Sequence, residues 1–173
     1  MTNELIRSVP RGVPLRGVRY ISLEWDDPFG GSGFDEVSMA VVLVFEDLEP
    51  YVLGWRVWQP LECLTTLPRK GGYESPNMRV VDASERWAHL MGAAVVAQHV
   101  GMHMTSWGVQ PWSTRLDFDN GHSLVVCLGE LTAEDDPTYL PDSLLVTDSR
   151  EHASAYHLLS TDDSAWVDDP AVR

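Results

Sequence analysis

Alternation of apolar and polar side chains predicts β-strands in the first half of the chain. Residues 18–25 alternate up to Trp25, which is typical of a strand with one buried face. Residues 37–45 are apolar at odd and even positions alike, so we expect a central strand that is covered on both faces. Residues 51–58 predict a third strand. Because the connections look like hairpins, this half is expected to form an antiparallel meander.

The periodic pattern is interrupted in the middle of the chain. Residues 59–79 contain three prolines and two glycines and show no period, which predicts a long irregular loop. The run Asp-Ala-Ser-Glu at 82–85 fits a capping box. The apolar spacing that follows predicts a helix over 83–91 and then a strand through residues 95–100. A single helix over 83–104 is the alternative.

A β-hairpin is predicted over residues 114–128, where two apolar segments flank an Asp-Asn-Gly turn. A two-residue turn would place Leu124 opposite Asp117, whereas a three-residue loop pairs Leu116 with Leu124. Only the longer loop makes one face of the hairpin largely apolar, so we predict the three-residue loop. That loop puts Gly121 where the backbone needs a left-handed residue.

The C-terminal third adds one strand and one helix to the prediction. After an acidic loop at 130–138, residues 143–147 have the pattern of an apolar strand, and a second capping box at 148–151 predicts a helix. We therefore expect an α+β fold. It would consist mainly of an antiparallel twisted sheet of about six strands with two short helices packed on it.

Length and composition indicate a globular protein. The 173 residues, 44% of them hydrophobic, predict one domain over 1–173 with loosely ordered tails at 1–14 and 160–173. No apolar run approaches the roughly 18 residues of a membrane span, and no export signal is evident, so we expect a cytoplasmic protein. Cys63 and Cys127 are then expected to be reduced thiols, with a disulfide as the alternative.

Negative charge is concentrated towards the carboxyl end. Of the net charge of −14, residues 117–173 contribute −11, from 13 acidic and 2 basic residues. Such a surface repels phosphate backbones and attracts cationic proteins, so we predict a basic protein partner and no direct nucleic-acid binding. Acidity that only keeps the protein soluble is the alternative. The pairs Asp26-Asp27 and Asp35-Glu36 are expected to be solvated.

The motifs that would indicate catalysis are incomplete. Gly-Gly-Ser-Gly at 30–33 lacks the Gly-Lys-Ser/Thr ending of a phosphate loop, and Lys70 is the sole lysine. On a helix His99 and His103 would share a zinc ion, but on the predicted strand they stand roughly 13 Å apart. We therefore predict no catalytic residue, no metal site and no cofactor, with His99 and His103 as the weak metal candidates.

Aromatic and acidic residues near predicted turns are the candidates for contact with a partner. They are Trp107, Trp112, Asp117, Asp119, Glu134, Asp135 and Asp136. The two tryptophans flank a turn with glycine and proline, and exposed tryptophan is enriched at binding hot spots. A tryptophan-covered edge of the core is the alternative for this turn. Trp25, Trp55 and Trp87 lie on predicted core faces.

Two runs of residues are similar to a known class of proteins. Arg-Leu-Asp-Phe-Asp-Asn-Gly-His-Ser-Leu-Val-Val at 115–126, followed by Asp-Ser-Leu-Leu-Val at 142–146, resembles the C-terminal half of small bacterial immunity proteins. Immunity proteins are cytoplasmic partners that neutralise polymorphic toxins. The resemblance implies a non-enzymatic inhibitor that blocks a toxin domain through an acidic surface, and it assigns no individual functional residue.

We therefore expect a protein-binding module of immunity type, with a basic protein such as a toxin domain as its partner. A small-molecule-binding protein or small enzyme, with a pocket lined by tryptophans and histidines, is the alternative. A regulatory or structural component is a third hypothesis.

Overall fold

Within the described residues the chain forms two five-stranded antiparallel sheets and one two-stranded ribbon. The computed structural model describes residues 5–29, 33–58, 61–68, 76–106, 108–158 and 163–168. The strands are β1 (Leu15–Leu23), β2 (Asp35–Val37), β3 (Ala40–Phe45), β4 (Tyr51–Trp58), β5 (Leu61–Thr66), β6 (Met78–Asp82), β7 (Val95–Thr105), β8 (Gly108–Phe118), β9 (Ser123–Leu128), β10 (Glu130–Leu131), β11 (Pro137–Thr138) and β12 (Leu144–Thr147). The first sheet has the order β5-β4-β3-β1-β6, the second has the order β2-β12-β9-β8-β7, and β10 pairs with β11.

The fold is mostly β, so the predicted α+β class with two helices packed on one sheet is wrong. In the described part of the chain the helical elements are one α-helix, α1 (Arg150–Ala155), and one 3₁₀ turn (Ala88–Leu90). α1 lies where the second capping box predicts a helix. The Ser149 hydroxyl accepts a hydrogen bond from the backbone N–H of His152 at 3.2 Å and caps its first turn.

The segment predicted as the first helix forms consecutive turns instead. β6 extends to Asp82, whose carboxylate accepts from the backbone N–H of Ser84 at 2.9 Å, so the expected cap closes a tight turn. Trp87 and Leu90 are nevertheless fully buried, as their spacing indicates. Because so short a helix has little intrinsic stability, burial of these side chains is what decides the backbone conformation.

Two of the four strand pairings in the first sheet, β1 with β3 and β3 with β4, are those of the predicted meander, and β5 extends it by a strand that was not predicted. β1, β3, β4 and β5 pair in chain order, while β2 leaves the meander and pairs with β12 in the second sheet. β3 lies at the centre of its sheet and is buried on both faces, as predicted. Val41 and Leu43 belong to the core that both sheets share. Val42 lies on the opposite face, in a smaller cluster with Ile21 and Leu67.

β5 lies inside the 59–79 segment, for which an irregular loop was expected. Leu64 is fully buried in the shared core. Cys63 is also buried, and burial raises the pKa of its thiol to about 11. Cys127 is a second buried free thiol, so the prediction of two reduced cysteines is confirmed. The rest of the segment, residues 59–60 and 69–75, lies outside the described residues.

The hairpin between β8 and β9 has the predicted three-residue loop. Leu116 lies opposite Leu124, and the backbone N–H of Phe118 donates to the carbonyl of His122 at 2.9 Å. Gly121 has a φ of 84°, the left-handed conformation that closes this loop. The local prediction is confirmed because turn geometry and apolar register select the same pairing.

The second sheet is covered on both faces. Leu116 belongs to the core shared with the first sheet. On the other face the chain after α1 folds back, and the Ser113 hydroxyl donates to the carbonyl of Ala165 at 2.7 Å. The rings of Trp112 and Tyr156 meet edge to face with their centres 5.6 Å apart. This C-terminal cover is what makes the second sheet apolar on both sides.

The three tryptophans predicted to lie on core faces differ in how far they are buried. Trp87 is fully buried and Trp55 packs partly against the core, as expected. Trp25 is 69% exposed, so its predicted core position is wrong. The reason is that β1 ends at Leu23. Trp25 continues the alternating pattern of the sequence, but it lies beyond the end of the strand.

We expect the left-handed residue at the β8–β9 turn to matter for stability. Gly121→Ala should lower the free energy of unfolding by about 1–2 kcal/mol, because no neighbour lies within 4 Å of an added Cβ and only backbone strain acts. Gly121→Asn should be less destabilising, since asparagine adopts this conformation more readily. Urea unfolding of the two variants measures the difference, and equal losses would contradict the strain argument.

Candidate functional site

A chain of three buried polar side chains joins the two sheets. Tyr20 lies on β1 in the first sheet, Asp35 on β2 in the second, and Trp87 in the connection from β6 to β7. The Tyr20 hydroxyl donates to the Asp35 carboxylate at 2.7 Å and accepts from the Trp87 indole N–H at 2.6 Å. All three residues are at most 1% exposed. The Asp35 carboxylate is therefore held in the interior by a hydrogen bond from the Tyr20 hydroxyl, which in turn accepts one from Trp87.

Arg86 connects this buried carboxylate to the surface. Its Nε lies 3.2 Å from Oδ1 of Asp35, and its side chain is 42% exposed. The guanidinium carbon lies 5.0 Å from the centre of the Trp87 ring, within the range of a cation–π contact. Arg86 thus supplies the positive charge that a buried carboxylate needs while keeping part of its own hydration.

The protonation of this group follows from burial. Burial raises the pKa of Asp35, while the hydrogen bond from Tyr20 and the charge of Arg86 oppose the rise. Burial, followed by the negative charge of Asp35, raises the pKa of Tyr20 well above its usual value of 10.0. The phenol therefore remains a proton donor at every physiological pH, and it cannot act as a general base.

An open pocket of about 520 Å³ lies above the buried carboxylate. Its lining residues come from the chain before β2 and the first residue of β2, and from the last residue of β6 and the turn after it. They are Phe29, Asp35, Asp82, Ala83, Glu85 and Arg86. The volume is within the range of small-ligand sites, but the lining combines three carboxylates with one guanidinium and one aromatic ring. The described lining therefore presents a mainly acidic surface, with one guanidinium and one aromatic ring, to a molecule that enters the pocket.

Among the residues that the structure describes, the lining of this pocket contains no tryptophan or histidine, unlike the pocket expected from the sequence. The sequence placed Asp35 in a solvated loop, and the structure buries it. A signal for burial was present, because Phe34 and Val37 flank the Asp-Glu pair with apolar side chains. That signal is too short to distinguish a strand from a loop.

Carboxylates also converge on the surface at the edge strand β2. Glu36 points away from Asp35, and its Oε2 accepts from the backbone N–H of Leu131 at 3.1 Å. Burial raises the pKa of Glu36 and the hydrogen bond from Leu131 lowers it, while the negative charges of Glu130 and Asp26 raise it further. Glu130 and Asp26 are therefore both close enough to Glu36 to repel its negative charge.

The loop between β10 and β11 extends this acidic surface. It begins directly after Leu131, and the Thr132 hydroxyl accepts from the backbone N–H groups of Glu134 and Asp136, each at 3.3 Å. Those two bonds hold the loop in a tight turn with its acidic side chains exposed. We call the set Asp26, Glu36, Glu130, Glu134, Asp135 and Asp136 the acidic ridge.

Two of the predicted contact residues, Asp117 and Asp119, have hydrogen-bond partners within the fold. Asp117 accepts from the Ser123 hydroxyl at 2.7 Å and lies 2.9 Å from both Nε of Arg115 and Nε2 of His99. Burial acts to raise the pKa of Asp117, but these hydrogen bonds and positive charges outweigh it and lower the pKa. Asp119 accepts from the backbone N–H of Ala94 at 3.1 Å. Both carboxylates hold β7 to the β8–β9 hairpin.

Of the two tryptophans predicted to contact a partner, the structure describes one. Trp112 is fully buried against Tyr156, so it belongs to the core and not to a contact surface. Trp107 lies outside the described residues. Glu134, Asp135 and Asp136 are exposed and are the part of the predicted site that the fold gathers at one edge.

His99 and His103 both lie on β7, so the chain over 83–104 is not one helix. His99 is engaged by Asp117, whereas His103 is 7% exposed and burial lowers its pKa. Among the residues that the structure describes, no three metal-ligating side chains converge on one point. Strand geometry separates the two imidazoles, as the strand interpretation indicates.

Comparisons with models of known protein families, with curated proteins and with solved structures returned no match. Within the described ranges, none of the helices combines the length and apolar character that crossing a membrane requires.

The buried carboxylate predicts a specific pH dependence of stability. Because folding raises the pKa of Asp35 above its usual value of 3.8, its contribution to stability is complete below pH 3.8. That contribution is lost as the pH rises through the raised pKa. Asp35→Asn has no such titration, so wild type should lose stability relative to this variant over that window. Urea unfolding across the acidic range measures it, and parallel stability curves would contradict the pKa shift.

Proposed function

We propose that this protein is a non-enzymatic binding module that engages a basic partner protein through the acidic ridge. The observation that carries the proposal is the gathering of carboxylates at the β2 edge, where the negative charges of Glu130 and Asp26 add to burial in raising the pKa of Glu36. In the described part of the chain these three carboxylates form no ion pair with an arginine side chain. A cationic partner would relieve their repulsion, and that is a favourable contribution to binding which the free protein lacks.

The arginines support the proposal by their placement. Arg86 neutralises Asp35, Arg115 neutralises Asp117, and Arg16 pairs with Glu46. In each of these three pairs the arginine compensates a carboxylate outside the ridge, while at the ridge itself the Arg79 guanidinium donates to the backbone carbonyl of Asp26 at 2.7 Å and not to its carboxylate. The ridge keeps its negative charge, which steers a cationic partner towards it and speeds association.

The resemblance to immunity proteins makes the partner more specific. The run 115–126 forms the end of β8 and all but the end of β9, and the run 142–146 forms all but the last residue of β12. These three strands lie side by side in the second sheet. We infer that the partner is the basic toxin domain of a polymorphic toxin and that the protein acts in the bacterial cytoplasm. Inhibition would then require only that the ridge covers the cationic surface with which the toxin contacts its substrate.

Binding of a labelled oligo-arginine peptide tests the ridge directly. Glu36→Gln/Glu130→Gln should weaken binding about tenfold, which corresponds to about 1.4 kcal/mol. The reason is that the variant lacks two negative charges that attract the cationic peptide. Glutamine at position 36 still accepts from the Leu131 N–H, so the fold is retained. Fluorescence anisotropy at low and high salt measures the change, and raising the salt should weaken wild-type binding.

The matched control is Glu151→Gln/Asp168→Asn, which removes the same charge from exposed positions outside both the ridge and the pocket beside Asp35. Equal weakening by both double variants would mean that net charge alone attracts the peptide, and the ridge would not be a site. The toxin assignment is tested separately, by co-purification with the product of the neighbouring gene. Failure to bind a basic neighbouring product at any salt concentration would contradict the immunity role.

A small cationic ligand is the second candidate, and the pocket beside Asp35 favours it. Three carboxylates and the 41% exposed Phe29 ring suit an amine, with the ring available for a cation–π contact. In this alternative the protein recognises a small molecule, and the acidic ridge only keeps it soluble.

A reporter for that alternative is built into the pocket. A short diamine bound beside Asp35 should shift the indole N–H resonance of Trp87, because the Trp87 indole and Asp35 both hydrogen-bond to the Tyr20 hydroxyl. The exposed Trp25 indole is the internal control and should not move. Phe29→Ala should abolish the shift. A titration that moves neither resonance would remove the small-ligand candidate.

A further inference from the structure

β7 is the edge strand at the opposite end of the second sheet from β2. Its first part is flanked by the N-terminal segment. The backbone N–H of Gly12 donates to the carbonyl of Val95 at 3.1 Å, and that of Val9 donates to the Gln98 side chain at 2.9 Å. Over residues 100–104 the described part of the chain shows no backbone hydrogen bond other than those to β8. This stretch is an open sheet edge.

The open stretch exposes apolar side chains. Met102 is 41% exposed, Met104 is 64% exposed, and Val109, directly opposite Met104 on β8, is 51% exposed. Val100, Met102 and Met104 project from the same face, because alternate residues of a strand share a face. The edge therefore combines unpaired backbone groups with an apolar strip, a combination that monomeric proteins avoid.

β7 itself carries no carboxylate, lysine or arginine side chain. Residues 87–114 contain no aspartate, glutamate, lysine or arginine, in a chain whose net charge is −14. The edges of the first sheet are protected. Arg79 and Asp82 lie on β6, and the Thr66 N–H of β5 donates to the Leu5 carbonyl at 2.9 Å. At the other end of the second sheet β2 has three residues and carries Glu36. The exception is β7, which lacks the charges that normally block edge pairing.

We propose that a second copy of this chain pairs with β7 through residues 100–104, antiparallel and about a two-fold axis. An axis through Met102 places Val100 of one copy opposite Met104 of the other. The apolar strips of the two copies then form one continuous surface. Two chains of −14 repel one another at most approaches, and the uncharged edge is where that repulsion is weakest. A basic partner, in contrast, finds no complementary charge here.

The dimer would join the two second sheets into one sheet of ten strands. Because β2 is the edge opposite β7, each acidic ridge would remain exposed at an outer end of that sheet. Self-association and binding of a basic partner would therefore use different surfaces. The proposal does not depend on the ridge being a binding site.

Sedimentation analysis over about 1 μM to about 100 μM protein tests the proposal. Wild type should approach twice the chain mass of 19.3 kDa as its concentration rises. Raising the salt from about 0.05 M to about 0.5 M should strengthen the dimer, since salt screens the repulsion between two acidic copies. Met104→Glu should raise the dimer dissociation constant at least about tenfold. Val80→Glu, at a 65% exposed position on β6, is the matched control and should leave it unchanged.

Hydrogen exchange provides a readout that needs no variant. The backbone amides of residues 100–104 should become more protected as wild-type concentration rises, while those of β6 should not. A 19.3 kDa species at every concentration would overturn the proposal. So would a dimer that Met104→Glu leaves intact, because the contact would then lie elsewhere.

Discussion

The hydrogen-bonded chain from Trp87 through Tyr20 to Asp35 couples the parts of this fold to one another. Its members come from the first sheet, from the second sheet and from the connection between them. A buried carboxylate is tolerated only when donors and a cation surround it, and loss of a partner leaves a penalty of several kcal/mol. β1, β2 and the turn at 83–91 must therefore keep the mutual positions that satisfy Asp35. The pocket above it is a consequence of that arrangement.

The same constraint determines where negative charge appears on the surface. Successive side chains of a strand point to opposite faces, so the inward orientation of Asp35 directs Glu36 outward. There Glu36 meets Asp26 and Glu130, and the β10–β11 loop continues the acidic surface. The second sheet consequently has one acidic edge at β2 and one uncharged edge at β7. This difference in charge is the reason for proposing a cationic partner at the first edge and an uncharged one at the second.

Predictions made from the sequence succeeded where a few neighbouring residues decide the structure. The β8–β9 hairpin follows from the register of Leu116 and Leu124 together with the left-handed Gly121. They failed where distant contacts decide. Asp82 presents a good helix cap, yet it ends β6, because β6 pairs with β1 and Trp87 must reach Tyr20. Trp25 continues an alternating pattern, yet β1 has already ended.

The acidic residues show most clearly which properties follow from the sequence and which depend on the tertiary structure. Composition by itself determined that the chain is strongly negative towards its carboxyl end, and local patterns determined most of its strands. Only the tertiary structure decided that Asp117 and Asp119 are occupied within the fold, while Glu36 and Glu130 are left to repel each other. Net charge is a sum over residues, and strand periodicity depends on near neighbours. The pairing of one carboxylate with one donor depends instead on distances between segments that lie far apart along the chain.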